Sequence, residues 1–400
     1  MNGMRPVPRV CLATLITLVV AAFVLPGGRV ARVTAQDASP QAVLSQSAPS
    51  QPSPVGPVLT HRPPAAPSRK PSPITEPGRI QLDVVVNDSY GKPVAGLDPW
   101  DFTLMDNNQS RKILSFHSYD GVNVKPDPPV EVILLLDVAN LPLQQVSFVR
   151  QQVTSFLRQH GGHLAQPVSI ILLTDAGIRV QPRSSTDGNA LTSIVDQIKS
   201  NIGFINPAMG AEGALQRFQL SVRELATIAE NEVKKPGRKL LIWAGPGWPI
   251  LDGSNFVFSE KDQRRYFDAI VELSTRLREA RIALYSVAPS SSTTGAETRP
   301  LLYQAFLKGV KSPREADTGN LALKVLVTQT GGRILGPDND VVGQIVDCIS
   351  DANSFYRISF DPPHAEHADE YHDLRVSVAK PGFTVRTNTG YYNQPAEKQD

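Results

Sequence analysis

The sequence predicts an α/β fold: a mostly parallel sheet with helices on both faces, flanked by a small β-sandwich-like unit built from the N- and C-terminal segments. Three observations lead there. Between residues 129 and 351, apolar runs at 130–138, 168–174, 239–243 and 282–287 alternate with amphipathic stretches, the pattern of strands buried on both sides. Residues 79–125 and 352–393 bracket that region and read as β. Neither bracket is large enough to stand alone, because an isolated hairpin is marginal in water, so the economical arrangement pairs them.

The elements follow in order. Arg5 and Arg9 precede an apolar run at 10–25, VCLATLITLVVAAFVL; Pro26-Gly27-Gly28 breaks it and Val33-Thr34-Ala35 offers small residues for cleavage. This is the layout of an export signal over residues 1–35, with mature protein beginning at Gln36 and a secreted or periplasmic location. The run is shorter than the roughly 20 residues of a membrane span, and retention as an anchor is the alternative. Residues 36–78 are rich in Pro, Ser, Ala and Gln, a composition that cannot bury enough surface to order itself and reads as a tether.

In RIQLDVVVND, Ile80, Leu82, Val84 and Val86 alternate onto one face, so a half-buried strand is expected. Runs at 102–105 and 113–117 suggest a hairpin across Asp106, Asn107, Asn108 and Gln109; Pro126, Pro128 and Pro129 then close a linker. Helices are expected at 143–159, 211–232, 260–280, 321–330 and 340–350, the first with Asn140 as its N-cap and Pro142 in its first turn. Strands return at 354–360, 371–379 and 383–386, with a turn at Pro381-Gly382; residues 394–400 form a tail.

Composition narrows the function. Forty basic residues against thirty-eight acidic ones leave a net charge of +2, which gives no field for nucleic acid. Without the signal, Cys348 is the one cysteine, so no intramolecular disulfide can form, and its helical spacing with Val341 and Ile345 predicts a buried thiol. No sequence pattern carries an activated nucleophile, and Gly245 and Gly247 make a weak dinucleotide motif.

The stretch EVILLLDVANLPLQQ (131–145) ends an apolar run in Asp137. At this point the chain resembles a family. Residues 129–351 look like a von Willebrand factor A domain. GKPVAGLDPWDFTLMDNNQSRKILSF (91–116), GRKLLIWAGPGWP (237–249), YRISFDPP (356–363) and YHDLRVSVAKPGFTVRTNTGYY (371–392) resemble the exported von Willebrand factor A-related proteins of Acidobacteria. The resemblance implies an A-type, Rossmann-like domain. It also implies a metal-ion-dependent adhesion site: Asp-x-Ser-x-Ser after the first strand, a later threonine and an aspartate after the fourth strand, oxygen ligands suited to Mg²⁺. Here Asp137 stands at the first position, but the serines are replaced by Ala139 and Leu141, the later aspartate by Ala244, and 204–211 offers no matching threonine. The site is degenerate, with Asp137 as its remnant, and neither a metal nor another cofactor is expected.

Asp175, in Leu173-Thr174-Asp175-Ala176-Gly177, mimics the fourth-strand signature but comes too early, and reads as a turn aspartate. Trp248 sits in a loop stiffened by Gly245, Pro246, Gly247 and Pro249, and is expected to be displayed at the sheet edge where α/β folds bind; Trp100 and Trp243 are expected to pack. The functional expectation is an exported, non-enzymatic binding or adhesion-type module. Its partner would be a protein or cell-surface component, met by loops carrying Asp137, Asn140, Asp175 and Trp248 without metal. Two alternatives are a structural or assembly component of the envelope, and a metal-dependent hydrolase using His364, His367 and His372 in a polar hairpin loop.

Overall fold

The structure is a computed structural model and describes residues 78–196, 210–251, 258–289 and 302–395. The signal, nearly all of the tether and most of the tail lie outside the described residues. Everything described falls in one unit, Arg69–Asp400. The strands are β1 (Ile80–Asn87), β2 (Phe102–Asp106), β3 (Gln109–Arg111), β4 (Ser115–Tyr119), β5 (Glu131–Asp137), β6 (His163–Thr174), β7 (Gly177–Val180), β8 (Ser185–Asp187), β9 (Lys239–Ala244), β10 (Ile282–Val287), β11 (Phe355–Phe360), β12 (Glu370–Val378), β13 (Thr384–Arg386) and β14 (Gly390–Asn393). The α-helices are α1 (Leu143–Leu157), α2 (Gly188–Asp196), α3 (Gly210–Val233), α4 (Glu260–Glu279), α5 (Leu323–Gln329) and α6 (Val341–Ser350).

These strands form three sheets. One has the order β13-β1-β11-β4, another β14-β12-β2-β3, and the largest runs β10-β9-β5-β6-β7 with β8 also on β6. The first two are antiparallel throughout. In the largest, β10, β9, β5 and β6 pair in parallel, whereas β7 and β8 add to β6 antiparallel. Three of the eleven strand pairings among the described residues are parallel. The expected A-type, Rossmann-like, mostly parallel architecture is therefore corrected: the described residues form a mixed α/β fold in which two antiparallel sheets accompany one mixed sheet. The physical reason lies partly after Thr174. Asp175 and Ala176 make a tight turn, Gly177 takes φ +104°, and the chain folds straight back instead of crossing over through a helix.

Alternation divides the buried residues of the largest sheet between two cores. Val132, Leu134 and Leu136 of β5 join Val153 and Leu157 of α1 and Ile345 and Cys348 of α6. Ile133 and Leu135 join Leu225 of α3 and Ile270 of α4. The two antiparallel sheets share a third core. Ile80, Leu82, Val84 and Val86 of β1 meet Phe102 and Leu104 of β2, Ile358 and Phe360 of β11, and Leu374 and Val376 of β12. The opposite side of β1 carries Gln81, Asp83 and Val85. Val85 belongs to the first core, so β1 is covered on both sides.

Several local expectations change. The β2 hairpin partner is the polar β3, not 113–117: Asn107 and Asn108 both take positive φ (49° and 63°), the conformation a two-residue hairpin turn needs, and asparagine tolerates it. Residues 115–119 instead pair with β11 in another sheet. The histidine-rich segment is not a hairpin loop, because β11 and β12, which it joins, lie in different sheets. α1 begins after Pro142, which stands at the N-cap, so Asn140 does not cap it.

Candidate functional site

Asp137 ends β5 with no exposed surface. Burial of a carboxylate demands donors, and the neighbouring loops supply them. The Trp243 indole Nε1 donates to Oδ2 at 2.7 Å. Asn140 Nδ2 donates to Oδ1 at 2.9 Å and to Oδ2 at 3.1 Å, and the Asn140 backbone N–H to Oδ1 at 3.1 Å. The Gly247 backbone N–H also faces the carboxylate. Burial outweighs these donors and pushes the Asp137 pKa up to about 6.

The surroundings close this group off. A Cβ on Gly245 would lie 2.6 Å from Asp137 Cβ, so the loop after β9 can approach only with glycine there. Asn140, 8% exposed, also donates from Nδ2 to Ser221 Oγ on α3 at 3.1 Å. Ala139 and Leu141, at the positions where the resemblance would put serines, are buried and sit one in each core of the largest sheet. Ala244 is buried as well.

Trp248 belongs to this interior. It is 5% exposed, its Nε1 donates to the Leu321 carbonyl at 3.1 Å, and its ring meets Trp243 edge-on at 5.1 Å. The expectation of a displayed Trp248 is therefore corrected. Gly247 takes φ +73°, and a Cβ there would lie 2.7 Å from Leu323 Cδ2 of α5, so the loop lies down over the core only with glycine at this position. The structure thus joins Asp137, Asn140, Trp243 and Trp248 in one buried node. Asp175 stays apart, exposed in the β6–β7 turn.

The three histidines are not brought together for chemistry. His372 is buried; its Nδ1 pairs with Asp106 Oδ1 at 2.7 Å and its ring stacks on Tyr391 at 4.9 Å. Tyr391 Oη donates to the other Asp106 oxygen at 2.9 Å. His364 and His367 are exposed in the connection before β12. Among the described residues, no group of three or more His, Cys, Asp or Glu is placed to hold a metal ion.

The candidate surface that sequence reasoning missed lies between β1 and β2. Trp100 is 80% exposed and Tyr90 is 88% exposed. Their backbone is well held. Asp88 Oδ1 accepts from the N–H groups of Tyr90 and Lys92, both at 2.9 Å. Tyr356 Oη accepts from the Leu97 N–H at 3.1 Å and donates to the Val94 carbonyl at 2.8 Å. Trp100 occupies a 3₁₀ turn, Pro99–Asp101, in which Asp101 Oδ2 accepts from the Asp98 N–H at 2.9 Å and from Lys380 Nζ at 3.0 Å. Those donors hold the Asp101 pKa below its ordinary value, the Asp98 backbone bond most of all. The signal was present in Asp98-Pro99-Trp100-Asp101: a turn of three residues leaves an aromatic at its centre nothing to pack under.

No family model matches the chain, and no curated protein does. Solved structures resemble it distantly. The PilB minor pilin from Streptococcus sanguinis aligns at 10% identity and TM-score 0.31, over 56% of this chain and 60% of its own. The pilus adhesin SpaC from Lactobacillus rhamnosus GG aligns at 12% and 0.29, over 76% and 49%. The human COPII-coat protein Sec24c aligns at 9% and 0.30, over 67% and 44%. The chain therefore spans about half the length of these structures, at scores too low to transfer fold or function. No helix among the described residues is long and apolar enough to cross a membrane.

Proposed function

We propose that the chain is an exported, non-enzymatic binding module whose partner is a protein or cell-surface component, and that binding needs no metal. The observation that carries this reading is Trp100, 80% exposed on a backbone held by hydrogen bonds. An exposed aromatic on an ordered backbone matches the anchors that dominate interfaces, where truncation costs about 2 kcal/mol or more. A loop already ordered before binding loses little entropy on docking. The sequence resemblance at 91–116, 237–249 and 356–392 supports export. Metal independence is supported by the donors that already occupy the Asp137 oxygens.

The experiment is binding of the purified protein to cell-surface fractions, with and without EDTA, comparing wild type and Trp100→Ala. The proposal expects saturable binding that survives EDTA and weakens in the variant without a change in melting temperature. Binding abolished by EDTA, or unaffected by Trp100→Ala, would count against it.

A further inference from the structure

Between the outer side of β1 and the N-terminal ends of β9 and β10 lies a small cavity of about 10 Å³. Its wall includes Gln81 and Asp83 from β1, Arg238 just before β9, Arg278 and Arg281 around the end of α4, and Arg386 of β13. That volume admits one water-sized occupant. Four of these six side chains are guanidinium cations, and one is a carboxylate.

The hydrogen bonds leave positive charge over. Asp83 is taken by Arg281, whose Nε donates to Oδ2 at 3.0 Å and Nη2 to Oδ1 at 2.6 Å. Arg386 Nη2 is taken by Asp351 Oδ2 at 2.7 Å, which also accepts from Tyr285 Oη at 2.8 Å. Arg238 is 3% exposed and finds no carboxylate oxygen: its Nη1 donates to the Asp351 backbone carbonyl at 2.6 Å, and its guanidinium lies 4.5 Å over the Phe355 ring. Arg278, mostly buried, reaches Glu279 only at 3.6 Å. Arg357, 5% exposed, adds a further cation 3.7 Å from Asp83. Buried charge is normally paired, because an unpaired ion loses its hydration without compensation.

The vacant hydrogen-bonding capacity points the same way. Two of the side chains that line the cavity each carry a buried nitrogen with no hydrogen-bond partner, Arg238 Nε and Gln81 Nε2, and both are donors. An occupant that only accepts, carries negative charge and is one atom in size satisfies all three conditions. We propose that the cavity is a structural site for a single halide-class anion of chloride size, held by Arg238 and Gln81 between β1 and the start of β9 and β10. The cavity is too small for phosphate or sulfate. The ion neutralises the arginine excess and fastens the β1 strand to the edge of the largest sheet.

Bromide is the probe. Crystals of the full chain grown in sodium bromide, measured at the bromine absorption edge, should show an anomalous peak within hydrogen-bonding reach of Arg238 Nε and Gln81 Nε2. In solution, at equal ionic strength, the melting temperature should be higher in sodium chloride than in sodium gluconate by about 2 °C, the shift expected at roughly tenfold excess over Kd. The difference should vanish in Gln81→Leu, a mild change at a half-buried position, and in Arg238→Gln. No anomalous peak, equal melting in the two salts, or a salt difference that both variants retain would each overturn the proposal and leave water as the occupant.

Discussion

Replacing Arg281 with methionine removes one half of a contact that crosses the molecule. Arg281 lies in the turn between α4 and β10 at φ +56°, and its guanidinium grips Asp83 of β1 through Nε and Nη2. The side chains are 15% and 13% exposed, so solvent screening is slight. Removing one partner of a buried pair costs about 3–5 kcal/mol, because the other charge stays behind. With an unfolding entropy of about 2.1 cal/mol/K per residue over roughly 300 residues, the melting temperature should fall by about 5–8 °C.

The loss should also depend on pH in a defined direction. Burial raises the Asp83 pKa, but Arg281, Arg238 and Arg357 together outweigh it and hold it below the ordinary value. A depressed carboxyl contributes stability above its unfolded pKa and loses it as pH falls through the folded one. In Arg281→Met the largest opposing charge is gone and the folded pKa rises, so the gap to wild type should narrow as pH drops towards 4. Calorimetry at pH 7 and pH 4.5 reads both quantities. A single variant melting within a degree of wild type, or a gap that widens on acidification, would show that the Arg281–Asp83 pair does not stabilise the fold in this way.

Further outcomes follow from the buried node and the exposed turn. Trp248→Ala should cost about 3–5 kcal/mol of stability, the range for a buried aromatic, with affinity per folded molecule unchanged; chemical denaturation with a binding assay separates the two. Asp137, its pKa raised by burial to about 6 from the ordinary 3.8, binds more protons folded than unfolded between those values. Its stability contribution therefore grows as pH falls from above 6 to below 4, by up to about 3 kcal/mol, and this component should be missing from the pH–stability curve of Asp137→Asn. Millimolar Mg²⁺ should leave the wild-type melting temperature unchanged, whereas a shift that Asp137→Ala abolished would show the carboxylate free to bind metal. Cys348, fully buried with its pKa raised by that burial, should resist thiol reagents until the protein unfolds.

Strand positions were legible wherever burial imposed a period. The alternation of Ile80, Leu82, Val84 and Val86 marks β1, and the apolar runs coincide with β5, β9 and β10. What periodicity could not show was direction. Nothing in β7, a four-residue strand with its last two residues exposed, announces that it doubles back on β6, and the polar three-residue β3 has no period at all. Pairing was hidden for the same reason: 113–117 has the composition of a hairpin partner for β2, yet the Asn107-Asn108 turn closes too tightly to reach it.

At the site, Asp137 was legible as the end of a buried strand, but the fate of its neighbours was not. Asn140 has the residue type and spacing of a helix cap. In the folded chain its side chain turns instead to the buried carboxylate three residues back, which needs donors. Trp248 and Trp100 were assigned the wrong way round. Glycine and proline around Trp248 signal a stiff loop without saying which way it faces; Leu321 and α5, more than seventy residues on, decide that it faces inward.

Trp100 is proposed to anchor a metal-independent interface with a surface or protein partner. Equilibrium binding of the purified chain to cell-surface fractions in EDTA, for wild type and Trp100→Ala side by side with their melting curves, tests it most directly. Saturable wild-type binding is expected, weakened about 30-fold or more in the variant, the equivalent of about 2 kcal/mol, with melting temperatures that agree. Equal affinity in the two proteins, or no saturable binding by either, would contradict it.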